Sequence, residues 1–327
     1  MPNGPKSRRR ALVVLIAMLA LAPFAAPAHA QSWPTRPVRL VVPFAPGGAT
    51  DVTARIISDP LTRVWGETVV VENKPGAGTN LGNEAVAKST PDGYTMLLAS
   101  ASLTTGRNLY KSLPYEISDL APVSLVCQFP LLVLAPPKSP AKTLAEFVAL
   151  ARANPAKFSY ATPGLGTTPH LAGELLKQMA GIDMTHVPYR GDAPALTDTM
   201  AGRVDLQIGG SSMLEQVRSG QVRALAVTTI QRSPLVPELA AVSETVPGYD
   251  VPTWYALFVA AKTPPDIIAK MNRDVGRVLA EPAIKTRFAQ ISMVAGGSTP
   301  EALAALVDSD IKKWGAVIKA ANITLDP

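Results

Sequence analysis

The stretch Arg39-Leu40-Val41-Val42-Pro43-Phe44-Ala45-Pro46-Gly47-Gly48-Ala49-Thr50-Asp51-Val52 decides the fold. Leu40 to Val42 is a continuous apolar run, the pattern of a strand buried on both faces. Gly47 and Gly48 allow a tight turn and the close approach of a ligand to the backbone. Thr50 or Asp51 then suits the N-cap of a helix. A strand, a glycine turn and a helix start aim free N–H groups and the positive end of a helix dipole at one point, which suits a small anion such as a carboxylate. An ordinary strand-to-helix connection carries the same signature, so both readings stand at this point.

The arrangement recurs along the chain. Val69 to Asn73 reads as a strand and runs into the turn Lys74-Pro75-Gly76-Ala77-Gly78-Thr79-Asn80-Leu81-Gly82. A helix over Glu84 to Lys88, a turn at Pro91-Asp92-Gly93 and a strand from Tyr94 to Ala99 complete a βαβ unit. A strand at Phe158 to Ala161 leads to a third glycine turn, Pro163 to His170, with Thr168 as N-cap and Pro169 as the first helical residue. Leu171, Leu175 and Met179 mark the buried face of the helix that follows. After Asp51, Val52, Ile56, Leu61 and Val64 share a helix face that Pro60 interrupts, with a restart capped by Ser58 or Asp59. Thr143-Leu144-Ala145-Glu146 is a capping box for a helix ending by Asn154-Pro155. Further strands are expected at Leu131 to Leu134, Met184 to Pro188, through Val204, Leu206 and Ile208, at Val222 to Thr228, and across Tyr249 to Ala260. Tyr189-Arg190-Gly191-Asp192 leads to another helix, and Leu303 to Ile318 keeps helical spacing behind Thr299-Pro300. The fold class is α/β, with glycine- and serine-rich turns at strand ends that line a ligand crevice.

Residues 1–30 read as a secretory signal peptide: Lys6, Arg8, Arg9 and Arg10, an apolar run from Ala11 to Ala22, and Ala28-His29-Ala30 as the cleavage site. Export and cleavage after Ala30 follow, and the resemblance given below implies a periplasmic location; whether export uses the general or the twin-arginine route stays open. The leader takes four of the 31 basic residues and none of the 25 acidic ones, leaving 27 against 25. No dense basic block remains, so nucleic acid is not an expected partner.

Chemistry-bearing residues are few. Cys127 is the only cysteine, in an apolar setting, and only His170 and His186 follow the leader, so no internal disulfide is expected, and a transition-metal site would need carboxylates to complete it; the reading as a whole expects no cofactor. Gly76-Ala77-Gly78 departs from dinucleotide-binding spacing, and no phosphate-binding loop or nucleophile elbow occurs. Ser211 and Ser212 lie in a turn that His170 or His186 can approach, so a secreted serine hydrolase is the competing class. His170, at a helix N-terminus, is expected to have its pKa lowered by the dipole and to donate a hydrogen bond while neutral. His186, within a strand, reads as a hydrogen-bonded core histidine. Arg190 suits a bidentate pair with a carboxylate, or a salt bridge between elements. Asp51 serves either as a cap or as the acceptor of a ligand ammonium.

Taken in order, these segments resemble the Bug-type periplasmic solute-binding receptors of tripartite tricarboxylate transporters. The marks are Trp33-Pro34-Thr35-Arg36-Pro37-Val38-Arg39, Val42-Pro43-Phe44 with Gly47 to Asp51, Val71 to Gly78, Pro91-Asp92-Gly93-Tyr94-Thr95, Pro169 to Leu175 and His186 to Gly191. The resemblance implies a Venus-flytrap (type II periplasmic-binding-protein) fold of two α/β domains joined by two crossing strands, near Cys127 to Leu131 and Val251 to Tyr255. Domain I would combine residues 31–130 and 253–327, and domain II residues 131–252. A small organic anion, a di- or tricarboxylate or an aromatic carboxylate, would sit between them. Phe44, Gly47, Gly48, Thr50 and Asp51, with Ala77, Gly78, Thr79 and Asn80, would grip one carboxylate. Ser100, Ser102, Thr167, Thr168, His170, Arg190 and Ser211 would shape the other end. The implied protein is a monomeric receptor, not an enzyme, serving an integral-membrane permease; a receptor of the same fold for another transporter or a sensor kinase is the near alternative. Two departures are visible: Thr79 stands where the family often has glycine, and Gly209-Gly210 where it often carries an Asp-Asn-like pair.

Overall fold

The computed structural model describes residues 33–110 and 112–320; the leader lies outside them. The chain separates at Thr35/Arg36, and the unit from Arg36 onward carries both sheets. In order, the elements are β1 (Val38–Val42), α1 (Ala49–Trp65), β2 (Val69–Asn73), α2 (Asn80–Ala87), β3 (Thr95–Ser100), α3 (Gly106–Leu109), β4 (Leu120–Pro130) and β5 (Leu132–Ala135). Then come α4 (Leu144–Ala153), β6 (Phe158–Thr162), α5 (Thr168–Ala180), β7 (Met184–Pro188), α6 (Asp192–Met200), β8 (Leu206–Gly209), α7 (Leu214–Arg218) and β9 (Arg223–Val227). The last elements are β10 (Pro252–Ala260), α8 (Pro265–Ala280), α9 (Pro282–Gln290), β11 (Val294–Ala295) and α10 (Pro300–Ala320).

The first sheet has six strands in the order β11-β4-β10-β3-β1-β2, and the second has five in the order β7-β6-β8-β5-β9. In the first, β1 lies between β2 and β3, parallel to both, and β10 and β4 are antiparallel. In the second, β6 is parallel to β7 and β8, while β5 runs antiparallel to β8 and β9. The apolar run of β1 has its reason here: an interior parallel strand is covered on both faces, and Val38, Leu40, Val41 and Val42 are all fully buried. Val41, Leu97 and Phe258 form one core with Trp254 and Val307 of α10; Leu132, Leu134, Met213 and Val227 form another under the second sheet.

Two passages join the sheets. Leu131 alone separates β4 from β5, and the chain returns from β9 to β10. Thr228 holds the passages together. Its hydroxyl accepts from the Leu131 N–H at 2.9 Å and donates to the Val251 carbonyl at 2.8 Å. Its own N–H donates to the Leu131 carbonyl at 3.0 Å, and its carbonyl accepts from the Val251 N–H at 2.8 Å.

Several local expectations are corrected. Helix α1 runs unbroken through Pro60. The missing N–H and ring clash cost about 3 kcal/mol, but Ile57 and Leu61 are buried to 1% and 0% exposure and contribute about 1.5–3 kcal/mol each. Its inner face is set by Ala54, Ile57, Leu61 and Trp65, and Val64 is exposed. The N-cap is neither Thr50 nor Asp51 but Gly48, whose backbone makes the entry without a side-chain cap. In α5 the N-cap is Thr167, one residue earlier than expected, and Pro169 sits in the first turn. Leu171, Leu176 and Ala180 face inward there while Met179 is exposed. Helix α2 starts at Asn80, four residues before the expected Glu84. Thr143 caps α4, accepting from the Glu146 N–H at 3.2 Å, but the Glu146 carboxylate turns to the Lys142 N–H rather than to Thr143. The helices α8 and α9 and the short strand β11 had no counterpart in the sequence reading.

Candidate functional site

The loops after β1, β2, β3, β6 and β7 meet between the two sheets. They surround a cavity of about 420 Å³ lined by Pro43, Phe44, Pro75 to Thr79, Leu81, Tyr110, Pro163 to Leu165 and Pro188 to Arg190. One wall is a run of left-handed backbone: Gly76, Ala77, Gly78 and Thr79 have φ of 136, 47, 60 and 88°. Such conformations are costly for residues with a Cβ and concentrate at ligand-gripping sites. Close approach requires the glycine at 78, because a Cβ there would strike the Leu165 carbonyl oxygen across the cleft. Thr79 is held by a buried network. Its hydroxyl accepts from Asn83 at 3.2 Å, Asn83 also donates to the Tyr115 hydroxyl at 3.0 Å, and that hydroxyl donates to Asn80 Oδ1 at 2.9 Å. The extra hydroxyl of Thr79 is therefore turned to the protein and stiffens the loop.

The Gly47–Asp51 turn has a different internal logic. Asp51 is buried, and both its oxygens are committed. Oδ2 accepts from the Gly47 N–H and Arg55 Nε, each at 3.0 Å, and Oδ1 from Asn73 at 3.0 Å and Arg55 Nη2 at 3.1 Å. Burial by itself would raise this carboxyl; the donors outweigh it and hold the pKa below the ordinary carboxylate range. Asp51 props the turn open-handed rather than reaching for a solute. Asn73 also donates to the Phe44 carbonyl at 3.0 Å, tying that residue to the same frame.

Arg190 stands exposed at the cavity wall, and among the described residues it makes no ion pair. The inter-element salt bridge considered for it is absent there.

Beneath the cavity, the polar residues named from sequence form a closed seam. The Ser100 hydroxyl accepts from the Ser102 N–H, and the Ser102 hydroxyl accepts from the Thr168 N–H at 3.0 Å. The Thr167 hydroxyl donates to the Gly164 carbonyl at 2.7 Å. The Thr50 and Tyr255 hydroxyls share a hydrogen bond. His170 Nδ1 accepts from the Gly166 N–H at 3.1 Å, and its ring stacks on His186 at 4.1 Å between centroids. Burial, with Lys177 nearby, lowers the His170 pKa to about 4 against the pull of Glu174. The lowering was expected, but desolvation leads it rather than the helix dipole. His186 is only partly buried and bonds Thr162 Oγ1 at 2.7 Å; burial and its neighbour His170 lower it to about 3. Ser211 Oγ is fully buried with no hydrogen-bond partner among the described residues, so Ser211 and His170 do not form the pair a hydrolase needs.

Sequence reasoning missed Asp192, Tyr255, Tyr110 and the Pro163–Leu165 wall. In sequence Asp192 reads only as a helix start, yet its carboxylate accepts from the Gly210 N–H at 3.3 Å and from the Ala49 N–H. A Cβ at Gly209 would collide with Asp192 Oδ1. An acidic group is thus present beside Gly209-Gly210 after all, supplied from α6. No group of three or more potential metal ligands occurs among the described residues, nor any helix long and apolar enough to cross a membrane.

A family described as "Tripartite tricarboxylate transporter family receptor" matches residues 53–323. The chain is 36% identical over 323 residues to the protein BugT of Bordetella pertussis, covering 97% of this chain and 98% of that one. It superposes on the periplasmic binding protein BugD with a TM-score of 0.86 at 35% identity, covering 90% of this chain and 100% of that one. The structure of R. palustris Rpa4515 with adipate gives a TM-score of 0.87 at 34% identity, again covering 90% of this chain and 100% of that one.

Proposed function

The chain belongs to the tripartite tricarboxylate transporter receptor family, and from that premise we propose that it is an extracytoplasmic receptor that captures a small carboxylate and delivers it to the transporter's permease. On this reading residues 1–30 direct export to the periplasm and are removed after Ala30. Residues 31–130 and 253–327 act as one domain and 131–252 as the other, and the receptor works as a monomer without turning over its solute. The observation that carries it is the cavity wall itself: left-handed backbone at Gly76 to Thr79 on one side, an uncommitted Arg190 on the other. A carboxylate fits that pairing, since guanidinium and backbone N–H groups are its strongest partners. The relative bound to adipate has the same fold. Ser100, Ser102, Thr168 and Ser211 then serve as the seam that meets the solute when the two halves close.

The test is a thermal-shift screen of the exported receptor after unfolding and refolding, against dicarboxylates, tricarboxylates, aromatic acids, amino acids and neutral sugars. A solute at ~100-fold over its Kd stabilises by about 2.7 kcal/mol. Shifts confined to carboxylates support the proposal; shifts only with neutral or cationic solutes overturn it.

A further inference from the structure

Asp192 opens α6 and is buried, at 7% exposure. Its carboxylate lies across the cleft against the start of α1, taking the Ala49 N–H, and against the end of β8, taking the Gly210 N–H. The space it fills exists because two residues lack side chains. A Cβ at Gly209 would collide with Asp192 Oδ1, and one at Gly210 would collide with Ala49 Cβ and lie 3.1 Å from Asp192 Oδ2. Two features make this carboxylate unusual. Among the described residues it has no Lys, Arg or His partner, unlike Asp51 and Asp274, which are paired with cations. Burial pushes its pKa up to about 6, against the two amides that favour the charged form. A buried carboxylate without a cation is an expensive group to keep. Ser211, which follows Gly210 in the chain, has a buried hydroxyl with no partner among the described residues.

The first amide of α1 is the natural seat for a solute's anionic end, and here the protein's own anion occupies it. We infer that Asp192 is a specificity-determining residue. The site takes a solute with one carboxylate, held toward Arg190 and the Gly76–Thr79 wall, and a hydrogen-bond-donating group, ammonium or hydroxyl, presented to Asp192. It discriminates against an unsubstituted dicarboxylate, whose second anionic end meets Asp192. This inference rests on the carboxylate-receptor reading and deepens it. Two effects act in the same direction: like charges repel in a low-dielectric cleft, and a buried acceptor rejects a solute that offers no donor.

The experiment is calorimetric titration at neutral pH of the exported receptor and its Asp192→Asn and Asp192→Gly variants, all checked for retained cooperative unfolding. The probes are succinate and adipate, the hydroxy acids 4-hydroxybutyrate and 6-hydroxyhexanoate, and the amino acids 4-aminobutyrate and 6-aminohexanoate, which differ only in the distal group. The parent is expected to favour a hydroxy or amino acid over the dicarboxylate of equal length by at least about tenfold, and both variants to lose or reverse that preference. In Asp192→Asn, a fall confined to the amino acids identifies the donor as an ammonium, and a fall shared by the hydroxy acids shows that a hydroxyl serves as well. Asp192→Gly carries the test if the amide variant does not fold. A parent that favours dicarboxylates, or variants with the parent's ranking, overturns the inference and leaves the carboxylate receptor standing. Binding of no acid by any of the proteins, with neutral sugars bound, removes both.

Discussion

The Thr168 N–H donates to the Ser102 hydroxyl at 3.0 Å, joining the first turn of α5 on the second sheet to the turn after β3 on the first. Beside it the Thr105 hydroxyl donates to the Gly166 carbonyl at 2.7 Å, and farther along the cleft the Ala45 N–H donates to the Arg190 carbonyl at 3.0 Å. Loops of the two sheets thus meet through polar seams. In a receptor that captures by closing, each seam bond contributes to the closed state only. Removing the acceptor in Ser102→Ala leaves a buried amide unpaired and is expected to cost about 1–3 kcal/mol of closure. The solute's Kd should rise by about fivefold or more, while the open form keeps its unfolding midpoint in urea. An unchanged Kd would show that the seam does not report on closure.

Thr79 offers a test of strain. A β-branched residue at φ 88° costs on the order of 1–3 kcal/mol, and the bond from Asn83 returns about 1 kcal/mol. Thr79→Gly is therefore expected to leave stability unchanged or to raise it by about 1 kcal/mol, measured by urea denaturation. The same variant should bind solute more weakly, because a looser wall must be ordered on binding. A clear loss of stability would place the hydroxyl network above the strain.

Asp51 and Arg190 separate structure from recognition. Asp51→Asn gives up the charge that answers Arg55 and is expected to destabilise the fold by about 1–3 kcal/mol. Because its folded pKa is lowered, this contribution is present above the unfolded value and fades as pH falls through the folded one. Arg190→Ala, at an exposed position without an ion pair, should leave the unfolding midpoint unchanged and weaken solute binding by about tenfold or more. Equal effects of both variants on stability and binding would erase the distinction.

The buried titratable groups pull stability in opposite directions with pH. His170 and His186 have folded pKa values of about 4 and about 3, below the ordinary 6.5. Their contribution is complete above pH 6.5 and is lost as pH falls through those folded values. Asp192 has a folded pKa of about 6, above the ordinary 3.8. Its contribution is complete below 3.8 and is lost as pH rises through 6. Asp192→Asn should therefore be more stable than the parent near neutral pH, and that advantage should shrink as pH falls toward about 4. Urea titrations at neutral, mildly acidic and acidic pH read this difference directly. An advantage that grows on acidification would contradict the sign.

Much of the scaffold was legible because burial on both faces writes long apolar runs. Val69–Asn73 and Met184–Pro188 have the bounds read from sequence. Helix entries were misplaced by a residue or two because Gly48 and Thr167 make them with backbone alone, whereas the sequence signal sought a side-chain cap. Inner faces were drawn through the largest apolar residues. In α1 the core accepted Ala49, Thr53 and Ala54 and left Val64 outside. The candidate site was legible as loops and glycines but not as charges. Asp51 and Asp192 look alike in sequence, each at a helix start after a glycine. Only the fold supplies Arg55 and Asn73 to one and withholds a cation from the other. The orphan is the informative one, and it depends on Gly209, Gly210 and Ala49, which lie far from it in the chain.

Thr228 spends all of its hydrogen-bonding groups on Leu131 and Val251, so one residue pins both passages between the sheets. Two strands pinned at a common point can swing together but cannot slide past each other. If the proposed receptor opens and closes, Thr228 makes the two passages turn together, so a solute that draws one half in moves both connections at once.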